Sequence, residues 1–242
     1  MARMERKYLA HFIDANFGVG VANYVRLGKD LETYQEELNP QVEIRRNILG
    51  EQNVIHQGYQ VQSTAEPYYA DQTDPLFAPI AEIANERKTG AACQTTRVEV
   101  LVDASGNPIW AWKEDCWVVP NAVGGDTSGV QLPFNVYNAG NRTPGVFNMS
   151  NRTFTAATIT LNSTTLTVNG NTAGTLTATV SPAVTSGEVQ WYSSDTTKAT
   201  VAGSSTNKKT GTVTGVANGT TVVTAEWFGA IASCTVTVTG KS

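Results

Sequence analysis

Apolar and polar residues alternate in steps of two over most of this chain, and one short stretch breaks into a helical period. From Ala157 onward the text is a series of short alternating runs: TITLN, TLTV, GTLTATVSP, EVQWYSS, ATVAG, GTVTGVANG, TTVVTAEWFG and ASCTVTVTG. A period of two sends successive side chains to opposite faces of a sheet. Short strands at this regular spacing predict a β-sandwich. Trp191, mid-run with Val189 and Tyr192 beside it, is the expected core aromatic. No cysteine pair brackets it, so an antibody-type disulfide is not expected.

The first part of the chain is also strand-rich. Asn23–Leu27 alternates and stops at the turn Gly28-Lys29-Asp30, and Leu31–Leu38 reads as a further strand. Thr95–Asp103 sets Val98, Val100 and Val102 on one face and Arg97, Glu99 and Leu101 on the other. Ala104–Pro108 is a turn, and Ile109–Val119 returns, so these runs predict a hairpin. Val130–Tyr137 reads as a last strand, with Pro133 marking an edge or a bulge. The helical stretch begins at Asp74-Pro75, an acid at the N-cap with proline in the first turn. Leu76, Phe77, Ile80, Ile83 and Ala84 then form an apolar stripe that ends near Arg87-Lys88. Residues 1–20 read equally as an extended arm or a short helix. Asn138–Thr155, polar and rich in Gly and Asn, reads as the connection to the C-terminal repeats.

Leu31–Tyr69 fits these rules least well. Two strand-like runs flank a middle with no clean period, which mixes Glu43, Arg45, Arg46 and Glu51 with Ile44, Ile48, Leu49, Val54 and Ile55. A loop this long in a compact domain is functional or disordered, and this one is too aliphatic for a disordered linker. It is expected to be an arm that orders against another subunit, with Ile48 and Leu49 as apolar anchors and Glu43, Arg45, Arg46 and Glu51 among its contacts. The competing reading is a mobile loop.

Composition sharpens the division. Residues 1–155 carry 13 basic against 18 acidic side chains, and residues 156–242 carry 4 against 3. The expected organisation is a domain over 1–153, a linker over 154–157 and a second domain over 158–242. A mildly acidic chain without a basic run argues against tight nucleic-acid binding. No apolar run approaches a membrane span, and the N-terminus lacks the apolar core of a signal peptide. Cys93, Cys116 and Cys234 have no metal-ligand spacing. Cys93 and Cys116 flank the 104–108 turn and read either as a disulfide or as two buried thiols. His11 and His56 stand without a partner acid at motif spacing, and GGDTSG (Gly124–Gly129) lacks the Lys-Ser/Thr of a phosphate loop. No catalytic site, metal or cofactor is expected, and the chain is not read as an enzyme.

Two resemblances add to this. ITLNSTTLTV, the run Leu176–Pro182, VQWYSSD, GTVTGVANGT and CTVTVTG resemble a bacterial group 2 immunoglobulin-like module. RKYLAHFID, YVRLGKDLE, NPQVEIRRNILGE, YYADQTDPLF and GGDTSGVQLPF resemble the major tail tube proteins of long, non-contractile-tailed phages. The second resemblance implies a mainly β fold: an N-terminal sandwich or half-barrel with one flanking helix, followed by an immunoglobulin-like sandwich. It also implies six-membered rings stacked into a tube that conducts DNA. Its implied partners are copies of itself, the tape measure protein, the tail terminator and the tail-tip proteins. The implied location is the virion, after synthesis in the host cytoplasm, with no membrane insertion.

The acids Glu36, Glu99, Glu114 and Asp115 then read either as a DNA-repelling lumen or as an ordinary solvated face. Trp227 and Phe228 read as candidates for stacking on host cell-surface glycans, against a passive decoration. A bacterial surface adhesin fragment and a secretion-system tube protein are the alternatives from other classes.

Overall fold

The computed structural model describes residues 3–170, 172–183 and 187–241. The chain is mainly β, with a curled half-barrel sheet and a C-terminal immunoglobulin-like sandwich. It divides into two compact units. One holds the residues up to Leu101 with Trp112–Thr143 and Asn148–Thr153. The other holds Val102–Ala111, Pro144–Phe147 and the chain from Phe154 on.

In the first part, β1 (Leu9–Asp14), β2 (Tyr24–Arg26), β3 (Pro40–Arg46), β4 (Gln52–Tyr59) and β5 (Gln62–Ala65) precede α1 (Phe77–Glu86). Then come β6 (Gln94–Val102), β7 (Pro108–Pro120), β8 (Gly124–Asp126), β9 (Gly129–Gln131), β10 (Phe134–Asn138), β11 (Thr143–Asn148) and β12 (Thr153–Ala156). The main sheet runs β12-β11-β7-β6-β1-β2, and β10 pairs with both β7 and β5. Its apolar face packs Ile13, Cys116, Val118, Phe134 and Val136 against Leu76 and Ile80 at the start of α1.

The helix starts at Phe77, two residues later than the Asp74-Pro75 signal predicts, with Leu76 in the cap position and Asp74 fixing the preceding turn. The Leu76 amide donates to Asp74 Oδ1 at 2.9 Å, and the Tyr68 hydroxyl holds the other carboxylate oxygen at 2.9 Å. The helix ends where Arg87 turns left-handed, φ 52°, and the Lys88 amide donates back to the Ile83 carbonyl, an arrangement that favours glycine.

Several expectations change. Leu31–Leu38 is not a strand: it is irregular apart from one bridge, Glu37 to Gln62. Its job is to carry Tyr34 and Glu36 to the sheet. The run Val130–Tyr137 splits at Leu132-Pro133 into β9 and β10, because proline offers no amide to the ladder. The "loop" GGDTSG closes a small hairpin, β8 with β9. Asn138–Thr155 is no plain connection, since it contributes β11 and most of β12. Residues 1–20 supply a central strand, β1. Cys93, Cys116 and Cys234 are free and buried, so the thiol reading holds and the disulfide does not.

The C-terminal unit adds β13 (Thr158–Leu161), β14 (Thr165–Asn169), β15 (Gly174–Ser181), β16 (Gln190–Ser193), β17 (Ala199–Gly203), β18 (Thr210–Gly215), β19 (Gly219–Trp227) and β20 (Ala230–Thr239). They form two four-stranded sheets, β13-β15-β18-β17 and β14-β20-β19-β16. Val168, Leu176, Val213, Val223, Val236 and Val238 fill the space between, at alternate positions as period two requires. Trp191 packs at the margin of this core and closes over Gly211, where a Cβ would come within 2.8 Å of its ring. The fully enclosed aromatic is Trp227.

Candidate functional site

The stretch expected to be a loop-like arm is a β-hairpin. In β3 and β4, Val42 pairs with His56, Ile44 with Val54 and Arg46 with Gln52, after a register shift between Gln41 and Val42. Asn47 builds the turn. Its Oδ1 accepts from the amides of Leu49 and Glu51 at 3.0 and 2.9 Å, and Gly50 takes φ 82°. This side-chain cap and positive-φ glycine suit a short hairpin turn. Val42-Glu43-Ile44-Arg45 alternates, but the run is short and β4 (Gln52–Tyr59) does not repeat the pattern, so the pairing was not legible in the sequence.

One face of the hairpin is aliphatic and open. Val42, Ile44 and Val54 lie together there and each is more than half exposed, while Ile48 and Leu49 at the tip are fully and largely exposed. The opposite face is polar apart from Ile55, which pairs with Glu43. Arg45 donates to both carboxylate oxygens of Glu43, at 2.8 and 3.0 Å, and Gln57 donates to Glu43 at 3.1 Å. Thus Glu43 and Arg45 satisfy each other within the hairpin, and Glu51 accepts from the Asn47 side chain. Arg46 is exposed. The two strands form a sheet of their own. An isolated two-stranded hairpin is marginal in water, its edges invite pairing, and its apolar face invites burial.

The acids expected to face a lumen are engaged by other groups of the same chain. Glu99 and Glu114 are buried, and Glu36 largely so, in a charge network on the second face of the main sheet. Arg97 pairs with Glu36, and Arg142 donates to Glu99 at 2.9 Å. Glu114 accepts from the Gly140 amide at 2.6 Å and from Asn138 at 3.2 Å, and Asn138 accepts in turn from Arg97. Asp115 is half-buried and accepts from the Asn141 side chain at 2.7 Å. Alternation on β6 was read correctly, but the polar face is covered too, by the segment bearing Tyr34 and Glu36. Glu36, Glu99 and Glu114 are therefore engaged within the chain and do not form an ordinary solvated face, while Asp115 stays half-buried.

His11 sits in the same network, only 6 % exposed, with its Nδ1 at 3.9 Å from Glu36 and 3.8 Å from Glu99. Burial first, then the guanidiniums of Arg97, Arg6 and Arg26, push its pKa down to about 3, so at neutral pH it is an uncharged neighbour and no ion-pair partner. The ligand atoms of His11, Glu36 and Glu99 lie within 4.8 Å of one another, the spacing of a metal site. However, the buried Arg97 already occupies Glu36 and the exposed Arg142 occupies Glu99, so a dication would have to displace both guanidiniums, one of them from the interior. Nor can Trp227 stack on a sugar. It is 1 % exposed and packs edge-to-face on Phe228, with ring centroids 4.9 Å apart. Phe228 is half-buried in the β19–β20 turn.

Residues 153–226 match the bacterial Ig-like domain (group 2) family. The C-terminal sandwich is thus a bacterial Ig-like domain. Strand β20 lies beyond the matched residues and completes its second sheet between β14 and β19. No curated protein matches the chain. Among solved structures, domains 4 and 5 of the S-layer protein SbsC align over 86 % of this chain and 98 % of their own, at 18 % identity and a TM-score of 0.31. That score is too low for a shared architecture to be inferred. No helix among the described residues is long and apolar enough to cross a membrane.

Proposed function

We propose that this chain is a non-enzymatic structural subunit that polymerises with copies of itself, as a tail tube protein of a long-tailed phage does. In this reading six copies close a ring, rings stack into a tube that conducts DNA, and the Ig-like domain stands on the outside. The observation that carries it is the β3–β4 hairpin, with its exposed Val42, Ile44 and Val54 and its exposed Ile48-Leu49 tip. Covering such a face removes roughly 1.5–3 kcal/mol of apolar exposure per fully buried aliphatic side chain. Repeating one heterologous contact around a ring satisfies every copy equally. The resemblance of the first 155 residues to tail tube proteins supports the choice of assembly. The tape measure, terminator and tail-tip proteins would be its neighbours in the virion.

The family match over 153–226 favours a second reading, a fragment of a bacterial surface adhesin that carries this Ig-like domain. Electron microscopy of the purified protein separates the two. Tubes or six-fold rings from the wild type, with dispersed particles from Ile44→Asp/Val54→Asp, are the expected result. Tubes that form equally well from the double variant would remove the hairpin from the interface. Monomers at every concentration, with rings never seen, would favour the surface protein.

A further inference from the structure

A cleft of about 360 Å³ opens beside β1 and β2, lined by Arg6, Lys7, Arg26 and Lys29, with Glu32 its one acid. These four cations are not equivalent. Lys7 pairs with Glu5 at 2.7 Å, and Lys29 pairs with Asp71. The two arginines meet no carboxylate among the described residues. Arg6 donates to the backbone carbonyls of Leu9 and Tyr34, and Arg26 donates to that of Lys7 at 3.0 Å. Carbonyl bonds fix the position of a guanidinium without cancelling its charge. Each guanidinium has five N–H donors, so those that do not face the carbonyls stay free for a ligand.

The inner wall is His11, whose ring packs on Tyr34 with centroids 4.8 Å apart. His11 is more than nine-tenths buried, and its Nδ1 has no hydrogen-bond partner. Burial is the main cause of the lowered His11 pKa, Arg97 comes next, and Arg6 and Arg26 add smaller contributions. This concentration of uncompensated positive charge stands in a chain whose net charge is −4.

We propose that this cleft is an oxyanion-binding site in which Arg6 and Arg26 grip one phosphate or carboxylate group. Guanidiniums hold such groups through paired, charge-assisted hydrogen bonds, and two of them preset on carbonyls lose little freedom on binding. Glu32, in the same lining, disfavours a longer polyanion and so selects for a single compact group. The group arrives either as a free ion or on an acidic side chain of a second copy. The site belongs to the folded chain by itself, so it stands apart from the tube reading.

Isothermal titration of dilute protein with inorganic phosphate, at matched ionic strength, tests it. Wild type should bind saturably with one site. Arg6→Gln/Arg26→Gln should bind about tenfold more weakly or worse. Lys7→Gln/Lys29→Gln, which removes two cations already paired, should stay within about twofold of wild type. Non-saturable heat from wild type, or equal weakening by both double variants, would overturn the site in favour of diffuse charge. Circular dichroism of Arg6→Gln/Arg26→Gln guards against unfolding. Sedimentation velocity then distinguishes the sources. If a second copy supplies the group, phosphate and the arginine variant both weaken self-association; if the ligand is free, neither does.

Discussion

At the residue scale, the charge network on β6 is the costliest feature of the N-terminal unit. Arg97 is 5 % exposed at its side chain, and Glu36 is its closest counter-ion. Removing one partner of a buried pair leaves the other charged in a poor solvent, at a cost of about 3 kcal/mol. Glu36→Ala is expected to lower the urea midpoint accordingly, while the equally acidic but exposed Glu37→Ala changes it little. A null effect of Glu36→Ala would mean that Asn138 and Glu99 suffice for Arg97. His11 adds a pH dependence with a definite sign. Its folded pKa is depressed to about 3, so the unfolded chain takes up a proton first as pH falls below the ordinary value of 6.5. The stability from neutral His11 is fully present above pH 6.5 and is lost between there and pH 3, by up to about 1.4 kcal/mol per pH unit. Wild type should therefore lose more stability between pH 7.5 and 5 (about 1–2 kcal/mol) than His11→Gln does in the same denaturation series. Parallel losses would place the proton uptake on other groups.

At the element scale, α1 and the hairpin show opposite ways of being specified. The helix is written locally: an Asp-Pro turn that leads into it, and an apolar stripe. Only its end departs from what the local sequence favours, with a left-handed arginine at the cap. An L-residue in that region costs about 1–2 kcal/mol relative to a right-handed one. Arg87→Gly should therefore stabilise the protein by about 0.5–1 kcal/mol, after allowing for glycine's greater unfolded freedom. A thermal scan checks this; a lower melting temperature would mean that the arginine side chain contributes a contact worth more than the strain. The hairpin is written by its turn. Asn47 and Gly50 fix the reversal, and the strands follow without any buried alternation to announce them. Hence the sequence shows the exposed aliphatics, and only the pairing register shows that Val42, Ile44 and Val54 share a face.

At the scale of the whole molecule, the chain couples one half-barrel sheet to one Ig-like sandwich. Strand β12 ends at Ala156, and the Ala157 amide donates to the Pro144 carbonyl at 2.9 Å. A truncation ending at Thr155 would therefore remove the last residue of β12 and that hydrogen bond. Ending the chain after Ala157 keeps the strand and its last hydrogen bond. On the proposed function, that shorter chain is expected to form rings or tubes as the full chain does, seen by electron microscopy. Failure of the shorter chain alone would make the Ig-like domain part of the assembly contact.

The sequence by itself determined the mainly β class, the helix, the β6–β7 hairpin and the C-terminal sandwich, because each is carried by local periodicity or a local cap. The Ig-like domain was legible for the same reason: nearly every strand alternates. Tertiary structure alone decided which faces are covered. Alternation says that Glu99 and Val98 point opposite ways, but not that the segment around Glu36 closes over the polar side. It places Trp227 on a strand, but not in the centre of a core. It cannot gather Arg6, His11, Arg26 and Tyr34 around one cleft, because burial and charge compensation depend on segments far apart in the chain. Those non-local contacts turned the expected acidic face into a buried network and left two arginines uncompensated beside it.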